Sequence, residues 1–191
     1  IAGQKVAFTI CEDMWEQAPV MQARSVGAQL MININASPFH INKLSERRAL
    51  LRKRSVEGGF PIIYVNMIGG QDELVFDGGS MAVTSTGDCH CIALSCIEAL
   101  VPVLVQVSES PNSPCEIPLQ QIAPPLSMEA QVYQSLVLGV RDYVTKNKFK
   151  GVVLGLSGGI DSALTLAIAA DALGGDNVQA VMMPFTYTSE L

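Results

Sequence analysis

Apolar and polar residues recur with two different periods over the first third of the chain. Short apolar runs rich in β-branched residues, Lys5–Ile10, Leu30–Ser37 and Pro61–Gly69, predict buried strands. Helix-like patterns lie between them and predict helices over 19–27 and 45–57. The order strand–helix–strand–helix–strand indicates an α/β layered core.

The pattern then changes to short alternating segments. Glu73–Leu94 alternates, and the turn signals at Asp77–Gly79 and Thr86–Asp88 predict hairpins. Val101–Val107 predicts one more strand. Ser108–Pro125 contains five prolines, which is typical of a connecting segment between domains.

The last third of the chain returns to longer elements. Met128–Lys146 has apolar residues at helical spacing, and it is followed by a strand at Val152–Leu156, a helix from Ser162 to Leu173 and a strand at Val178–Met183. This strand–loop–helix–strand order predicts the start of a parallel sheet. We therefore expect two domains, residues 1–107 and 128–191, joined by a linker at 108–127.

Composition and charge exclude several classes of protein. The net charge of −6 disfavours wrapping of a nucleic acid backbone. No uninterrupted run of about 18 apolar residues is present, so no membrane span is expected. The five cysteines, an odd number, suit a reducing cytoplasm better than a disulfide framework.

Half of the twelve basic residues fall in one helical stretch, and this spacing predicts a solvated helix face. They are Lys43, Arg47, Arg48, Arg52, Lys53 and Arg54.

A glycine loop, Ser157–Ser162, lies between a predicted strand and a predicted helix start. Free N–H groups at a helix N-terminus attract anions, and glycines let the backbone close on a phosphate. Asp161 would repel a phosphate unless Mg²⁺ lies between them. The segment is not a Walker A motif, because no Gly-Lys-Ser/Thr follows. A tight turn capped by Ser or Asp is the simpler alternative.

The nine residues "GLSGGIDSA" resemble the pyrophosphate-binding loop of the ATP pyrophosphatase (PP-loop) enzymes. The resemblance implies Mg²⁺ binding at Asp161 and ATP binding by Gly155, Leu156, Ser157, Gly158, Gly159, Ile160, Asp161 and Ser162. "AVMMP" (Ala180–Pro184) and "YTS" (Tyr187–Ser189) resemble the segment downstream of this loop in NAD synthetases.

Cys11 ends a predicted strand, which is the usual place for catalytic groups in α/β proteins. The carboxylates of Glu12 and Asp13 do not activate a neighbouring thiol. Two interpretations therefore remain on these residues alone: a buried structural cysteine, or a nucleophile that needs a cation or base nearby.

"CEDMW" resembles the nucleophile segment of the glutaminase branch of the nitrilase superfamily. "NASPFHINK" resembles its glutamine-binding segment, which implies substrate contacts from Ser37 and Lys43; a surface lysine at a helix entry is the alternative for Lys43. "YVNMIGGQDELVFDGGS" (Tyr64–Ser80) also resembles this branch. The family's glutamate base and lysine lie N-terminal to the cysteine. Lys5 does not match by position, so we expect both outside this chain.

Together the two resemblances indicate the glutamine-dependent NAD synthetase family. They imply the C-terminal part of a nitrilase-like α-β-β-α sandwich, followed by the start of a Rossmann-like (adenine nucleotide alpha hydrolase-like) parallel sheet. Glutamine hydrolysis at Cys11 would supply ammonia for ATP-dependent amidation of deamido-NAD to NAD, with AMP and pyrophosphate released. A cytoplasmic homo-oligomer with ATP and Mg²⁺ as cofactors is expected.

Other functions remain open from the sequence. One is a nitrilase-type amidase with an accessory nucleotide-binding domain, and another is a non-catalytic ATP-binding module. Modification of tRNA, which uses the same loop, is disfavoured by the acidic charge. Zinc binding is disfavoured by the spacing of Cys89, His90, Cys91 and Cys96. Both ends of the chain resemble cut ends, and we expect these 191 residues alone to be inactive.

Overall fold

The computed structural model describes residues 1–107, 110 and 113–182, and the chain divides into two compact units. The first unit comprises Ile1–Ile68 and Phe76–Met128, and the second comprises Gly69–Val75 and the chain from Glu129 onward. The end of the predicted last strand, Pro184 and the "YTS" motif lie outside the described residues. None of the described helices is long and apolar enough to cross a membrane.

Strands and helices are mixed along both units, as predicted. The strands are β1 (Val6–Ile10), β2 (Leu30–Asn35), β3 (Ile62–Asn66), β4 (Ile68–Gln71), β5 (Leu74–Asp77), β6 (Met81–Val83), β7 (Cys89–Ile92), β8 (Val152–Leu156) and β9 (Val178–Met182). The α-helices are α1 (Gln17–Ser25), α2 (Lys43–Gly58), α3 (Met128–Lys146) and α4 (Ile160–Leu173), and 3₁₀ helices span Cys11–Met14 and Gly175–Asn177.

A five-stranded sheet in the order β1-β2-β3-β6-β7 forms the centre of the first unit. The strands β1, β2 and β3 are parallel, whereas β6 and β7 are antiparallel. One face is covered by α1 and α2, whose Val20 and Leu51 are fully buried against Met31 and Ile62 of the sheet. Burial of these apolar side chains removes them from water and holds the two layers together.

The other face of this sheet is only partly covered. A second apolar cluster joins Leu30 and Ala82 of the sheet to Cys115 and Ile117. Val101, Val103 and Val105 pack against this cluster as well. The predicted strand over 101–107 is wrong, because only Gln106 forms an isolated bridge there, to Glu116. Pro102 has no N–H to donate, which disfavours a regular ladder in this segment.

Of the two predicted hairpin turns, one is confirmed and one is wrong. The turn containing Thr86–Asp88 connects the antiparallel strands β6 and β7. Asp77–Gly79 instead ends β5 and leads into β6, which pairs with β3 in the large sheet. The hairpin lies just upstream, where Asp72 and Glu73 join β4 to β5.

A β8–α4–β9 motif and helix α3 form most of the second unit. The strands β8 and β9 are parallel and aligned from Val152 opposite Val178 to Leu156 opposite Met182. The predicted bounds of α3 and β8 are confirmed. This parallel pair is the expected start of a Rossmann-like sheet.

The hairpin tip Gly69–Val75 also belongs to the second unit and is fastened to α3. The Gly70 N–H donates to Asp142 Oδ2 at 2.8 Å, and Lys146 Nζ donates to the Gly70 carbonyl at 2.6 Å. Lys146 and Asp142 also form an ion pair at 3.2 Å. A Cβ on Gly70 would lie only 3.1 Å from the Gly139 Cα, so this close approach requires glycine.

The Asp142 carboxylate predicts a pH dependence of stability. Burial raises its pKa, but the Gly70 N–H and the Lys146 ammonium outweigh burial and hold the pKa below the ordinary aspartate value. A carboxyl whose pKa is lowered by folding stabilises the protein above its unfolded pKa, near 4, and this contribution is lost as the pH falls through the folded pKa.

We expect Asp142→Asn to lose about 1–3 kcal/mol of unfolding free energy at pH 7, because a charged hydrogen-bond acceptor is removed. The variant should also show a smaller loss of stability than the parent protein between pH 5 and pH 2, roughly the range over which the carboxylate protonates. Urea unfolding across this range measures both effects. Asp176→Asn, which removes an exposed carboxylate of the same unit, is the control. Parallel pH curves for parent and Asp142→Asn would contradict the assignment.

Candidate functional site

Three parallel strands end at the same edge of the large sheet. Their register pairs Ile10 with Ile34 and Asn35 with Asn66. The residues that come after β1 and β2, Cys11 and Ser37, are therefore brought to this edge. Binding and catalytic groups collect at the carboxyl ends of parallel strands, because the loops that leave those ends converge there.

Cys11 lies at the junction of β1 and the 3₁₀ helix Cys11–Met14, and it is half-buried. Its φ of +48° places a non-glycine residue in the left-handed region, at a cost of about 1–3 kcal/mol. The Asp13 carboxylate accepts a hydrogen bond from the Ile10 N–H at 2.9 Å and closes this turn. A sharp, strained strand-to-helix turn is a geometry that presents a nucleophile.

Ser37 is held from two sides. Its N–H donates to Asn66 Oδ1 at 2.9 Å. Arg47 donates to the Ser37 carbonyl at 2.7 Å and to its Oγ at 3.2 Å. The side chain is buried, and its hydroxyl accepts rather than donates in the Arg47 contact, so the hydroxyl proton can be offered to another group.

Arg47 is the centre of this polar network and is fully buried. It pairs with Asp77 at 2.9 Å and also donates to the carbonyls of Pro38 and Gly78. Asp77 is buried as well. A buried guanidinium is tolerated only when its donors are satisfied, and here one side chain ties together the segments after β2 and β5.

The prediction that the basic stretch of α2 is a solvated face is wrong for two of its residues. Arg47 and Arg54 are 0% and 5% exposed, whereas Arg48, Arg52 and Lys53 are exposed. The buried pair lies seven residues apart, with Leu51 between them on the same helix face. That spacing is a sequence signal for burial. The prediction missed it because it considered the charge of the residues and not their positions around the helix.

Lys43 is the first residue of α2, and the structure brings it to the turn that begins at Cys11. Its Nζ lies 4.1 Å from the centroid of the Trp15 ring and 3.3 Å from Glu46 Oε2. The side chain is only 17% exposed. Lys43 therefore stands at a helix entry, and at the same time it contributes a fixed cation beside the Cys11 turn.

Tyr64 is a further polar residue that sequence reasoning missed. It is 1% exposed, and among the described residues its hydroxyl makes no well-formed hydrogen bond. Burial raises the pKa of this phenol, while the Arg47 guanidinium and the Ser37 hydroxyl act in the opposite direction. Tyr64 is thus a neutral donor at pH 7, within electrostatic reach of Cys11 and Asp77.

The glycine loop of the second unit is a separate candidate site. Gly155 and Leu156 end β8, Ser157–Gly159 form the loop, and Ile160–Ser162 make the first turn of α4. Gly158 has a φ of +81°, which favours glycine.

Two serine hydroxyls stabilise this loop. The Oγ atoms of Ser157 and Ser162 are 3.1 Å apart, and Ser162 Oγ donates to the Gly159 carbonyl at 2.9 Å. Asp161 is exposed, and within the described parts of the chain its carboxylate has no hydrogen-bond or ion-pair partner. The loop thus leads into the first turn of α4, whose N–H groups lack the carbonyl partners found within a helix, and places one unpaired carboxylate beside that turn.

Two protein-family models match the chain, and each match contains one of the two candidate sites. Residues 1–93 match the carbon-nitrogen hydrolase family, and residues 132–191 match the NAD synthase family. The carbon-nitrogen hydrolase match contains Cys11, Ser37 and Lys43, and the NAD synthase match contains the glycine loop.

Curated relatives match the chain over its length. A glutamine-dependent NAD(+) synthetase from Acinetobacter baylyi is 43% identical over 189 residues, which is 99% of this chain and 34% of the relative. One from Xylella fastidiosa is 45% identical over 192 residues, covering 100% of this chain and 34% of the relative. The chain therefore spans about a third of the length of these relatives.

A solved structure shares this fold. The glutamine-dependent NAD+ synthetase from Acinetobacter baumannii, in complex with ADP, superposes with a TM-score of 0.90 at 41% identity. The match covers 100% of this chain and 35% of that protein. The nitrilase-like part followed by the beginning of an NAD synthase domain, as predicted, is confirmed.

The Arg47 network predicts a large effect on stability. Arg47→Met leaves the buried Asp77 carboxylate without its counter-ion, so we expect a loss of about 3–5 kcal/mol of unfolding free energy. Arg48→Met removes the same charge from the next, exposed position and should change stability by about 0.5 kcal/mol or less. Denaturant unfolding of the full protein measures both. Equal losses for the two variants would show that the ion pair contributes nothing.

Proposed function

We propose a function for this chain from its family, because it is homologous over its whole length to glutamine-dependent NAD(+) synthetases. The protein that contains it hydrolyses glutamine at one site and uses the ammonia at a second site. There, ATP-dependent amidation converts deamido-NAD to NAD and releases AMP and pyrophosphate. The observation that carries the proposal is Cys11 in a left-handed turn at the carboxyl edge of parallel strands.

In the glutaminase reaction, the Cys11 sulfur attacks the side-chain amide carbon of glutamine. The C–N bond breaks, ammonia leaves with the proton given up by the thiol, and a thioester remains. Water then hydrolyses the thioester to glutamate and restores the thiol. The general base and lysine of the family are proposed to come from outside these residues. Lys5 does not supply the lysine, because it precedes β1 whereas Cys11 follows the other end of that strand, and its Nζ donates to the Val26 carbonyl at 3.2 Å.

Glutamine recognition is assigned to Ser37 and Lys43. The Lys43 ammonium, held over Trp15, is a cation that can pair with the α-carboxylate of glutamine. The Ser37 hydroxyl retains its proton for a substrate oxygen, because its own oxygen accepts from Arg47. These roles are supported by the position of both residues at the edge where Cys11 lies.

The glycine loop is assigned to ATP. Its residues, Gly155 to Ser162, combine the N-terminal end of α4 with the hydroxyls of Ser157 and Ser162, which suits phosphate oxygens. Mg²⁺ fits the donor chemistry, since Asp161 has an exposed, unpaired carboxylate in the described chain and hard cations prefer oxygen ligands. When bound, the ion would neutralise phosphate charge next to Asp161.

Several broader assignments are part of the proposal. We assign residues 1–107 to the glutaminase domain, 108–127 to a linker and 128–191 to the ATP-binding domain. The five free cysteines support a cytoplasmic location. A homo-oligomer acting on small molecules, with no nucleic acid or membrane partner, remains our prediction.

Cys11→Ala separates the two reactions. We expect the glutamine-dependent rate to fall by roughly 10³-fold or more, because the nucleophile is lost. The rate with free ammonium should be unchanged, because amidation takes place at the other site. NAD formation from deamido-NAD and ATP with each nitrogen source measures this.

Cys89→Ala is the matched control, since it removes a half-buried thiol of the same unit. It should leave both rates unchanged. Equal loss of the two rates in Cys11→Ala would make Cys11 structural. Glutamine hydrolysis without any ATP-dependent amidation by the parent protein would favour the amidase alternative.

Asp161→Asn tests the second site. Loss of the carboxylate should abolish NAD synthesis with either nitrogen source, while the Cys11 thiol still reacts with glutamine. Calorimetric titration with ATP in the presence and absence of Mg²⁺ should show that only the parent protein gains affinity from the metal. Asp176→Asn, which removes an exposed carboxylate of the same unit, is the control. Normal synthesis by Asp161→Asn at ordinary Mg²⁺ would exclude a metal role for this residue.

A further inference from the structure

Helix α2 buries a second guanidinium, and it contacts the turn that begins with Cys11. Arg54 is 5% exposed. Its Nε donates to the Met14 carbonyl at 3.0 Å, and its Nη2 donates to the Trp15 carbonyl. Its Nη1 pairs with Glu57 Oε2 at 2.7 Å. The family resemblances and the glutamine-binding roles proposed above assign no role to this residue.

The two carbonyls that Arg54 binds are at the end of the 3₁₀ helix Cys11–Met14. Carbonyls at the end of a helix have no partner within the helix and carry partial negative charge. A planar guanidinium can satisfy two of them at once. The other end of the turn is fixed by the Asp13 bond to the Ile10 N–H, and Met14 is fully buried in the core.

Cys11 thus sits in a short turn that is anchored at both ends. Its left-handed φ of +48° is unfavourable in itself, so the surrounding contacts must maintain it. At the far end, the side-chain hydrogen bonds to the Met14 and Trp15 carbonyls come from Arg54. Release of that end would let the turn relax and shift the sulfur.

Through Trp15, Arg54 also supports Lys43, the cation proposed to bind the α-carboxylate of glutamine. Arg54 binds the backbone of Trp15, and the ring of Trp15 lies 4.1 Å from Lys43 Nζ. The turn that carries Cys11 and the ammonium of Lys43 are therefore both supported by Arg54.

We propose that Arg54 is a positioning residue for the glutaminase reaction: it holds the Cys11–Trp15 turn so that the thiol stays in its left-handed conformation and the Trp15 ring stays beneath Lys43. The inference rests on the proposed function. Arg54 contacts Met14, Trp15 and Glu57, and it acts through the backbone carbonyls of Met14 and Trp15.

The test uses the full protein with Arg54→Met, Arg54→Lys and the control Arg52→Met. Arg52 is exposed on the same helix, so its variant removes the same charge without touching the turn. We expect Arg54→Met to lose roughly 100-fold in glutamine-dependent kcat/KM, as a small misplacement of a reacting group does. The KM for glutamine should rise as well, because Lys43 loses its platform.

Arg54→Lys should recover part of this loss, since an ammonium can reach a carbonyl but lacks the planar fork. The ammonium-dependent rate should stay unchanged in all three variants. Alkylation of Cys11 by iodoacetamide, followed by mass spectrometry of its peptide, should slow in Arg54→Met and not in Arg52→Met. Trp15→Phe, which keeps the backbone carbonyl, should raise the KM without lowering kcat.

Two results would overturn the proposal. One is a glutamine-dependent rate in Arg54→Met and Arg54→Lys equal to that of Arg52→Met. The other is a parallel fall of the glutamine rate, the ammonium rate and the thermal midpoint in both Arg54 variants, which would make Arg54 structural only. Cys11→Ala is assayed beside these variants. If the proposed function itself is wrong, Cys11→Ala will keep its glutamine-dependent activity; if only the Arg54 proposal is wrong, Cys11→Ala will lose that activity.

Discussion

A buried positive charge must be surrounded by acceptors, and this requirement organises the first unit. Helix α2 carries two guanidiniums into the protein interior. Desolvation of such a group is costly unless its donors are satisfied. Arg47 obtains its acceptors from the loops after β2 and β5, and Arg54 obtains its own from the turn after β1. The loops at one edge of the sheet are therefore fixed by side chains of a single helix.

The two candidate sites use the same architecture with different local chemistry. In both, a parallel strand ends, a residue with a left-handed backbone marks the turn, and a helix begins. At the first site that residue is Cys11, whose side chain provides chemistry at a conformational cost. At the second it is Gly158, which adopts the conformation without strain and lets the chain turn into the first residues of α4. The first turn thus presents a reactive side chain, and the second leads into the N-terminal end of a helix.

The sequence predicted those parts of the structure that depend on local pattern. The bounds of α3 and β8 follow from periodicity, and the glycine loop is contiguous in sequence. The features that sequence reasoning missed depend on contacts between distant segments. The pairs Arg47–Asp77 and Lys43–Trp15 join different elements. Asp77–Gly79 has the composition of a hairpin turn, yet β6 pairs with β3. That pairing depends on the neighbouring strands of the sheet and not on the local turn residues.

The hairpin tip Gly69–Val75 has a consequence for how such proteins can be divided or recombined. Its sequence is embedded in the first half of the chain, but Gly70 is bound by Asp142 and Lys146 of α3. A cut within residues 108–127 would leave the hairpin on one piece and its helix on the other. The two pieces are therefore not interchangeable: a C-terminal piece transplanted from a relative must bring an α3 whose Gly139, Asp142 and Lys146 match the glycine-rich tip of its host.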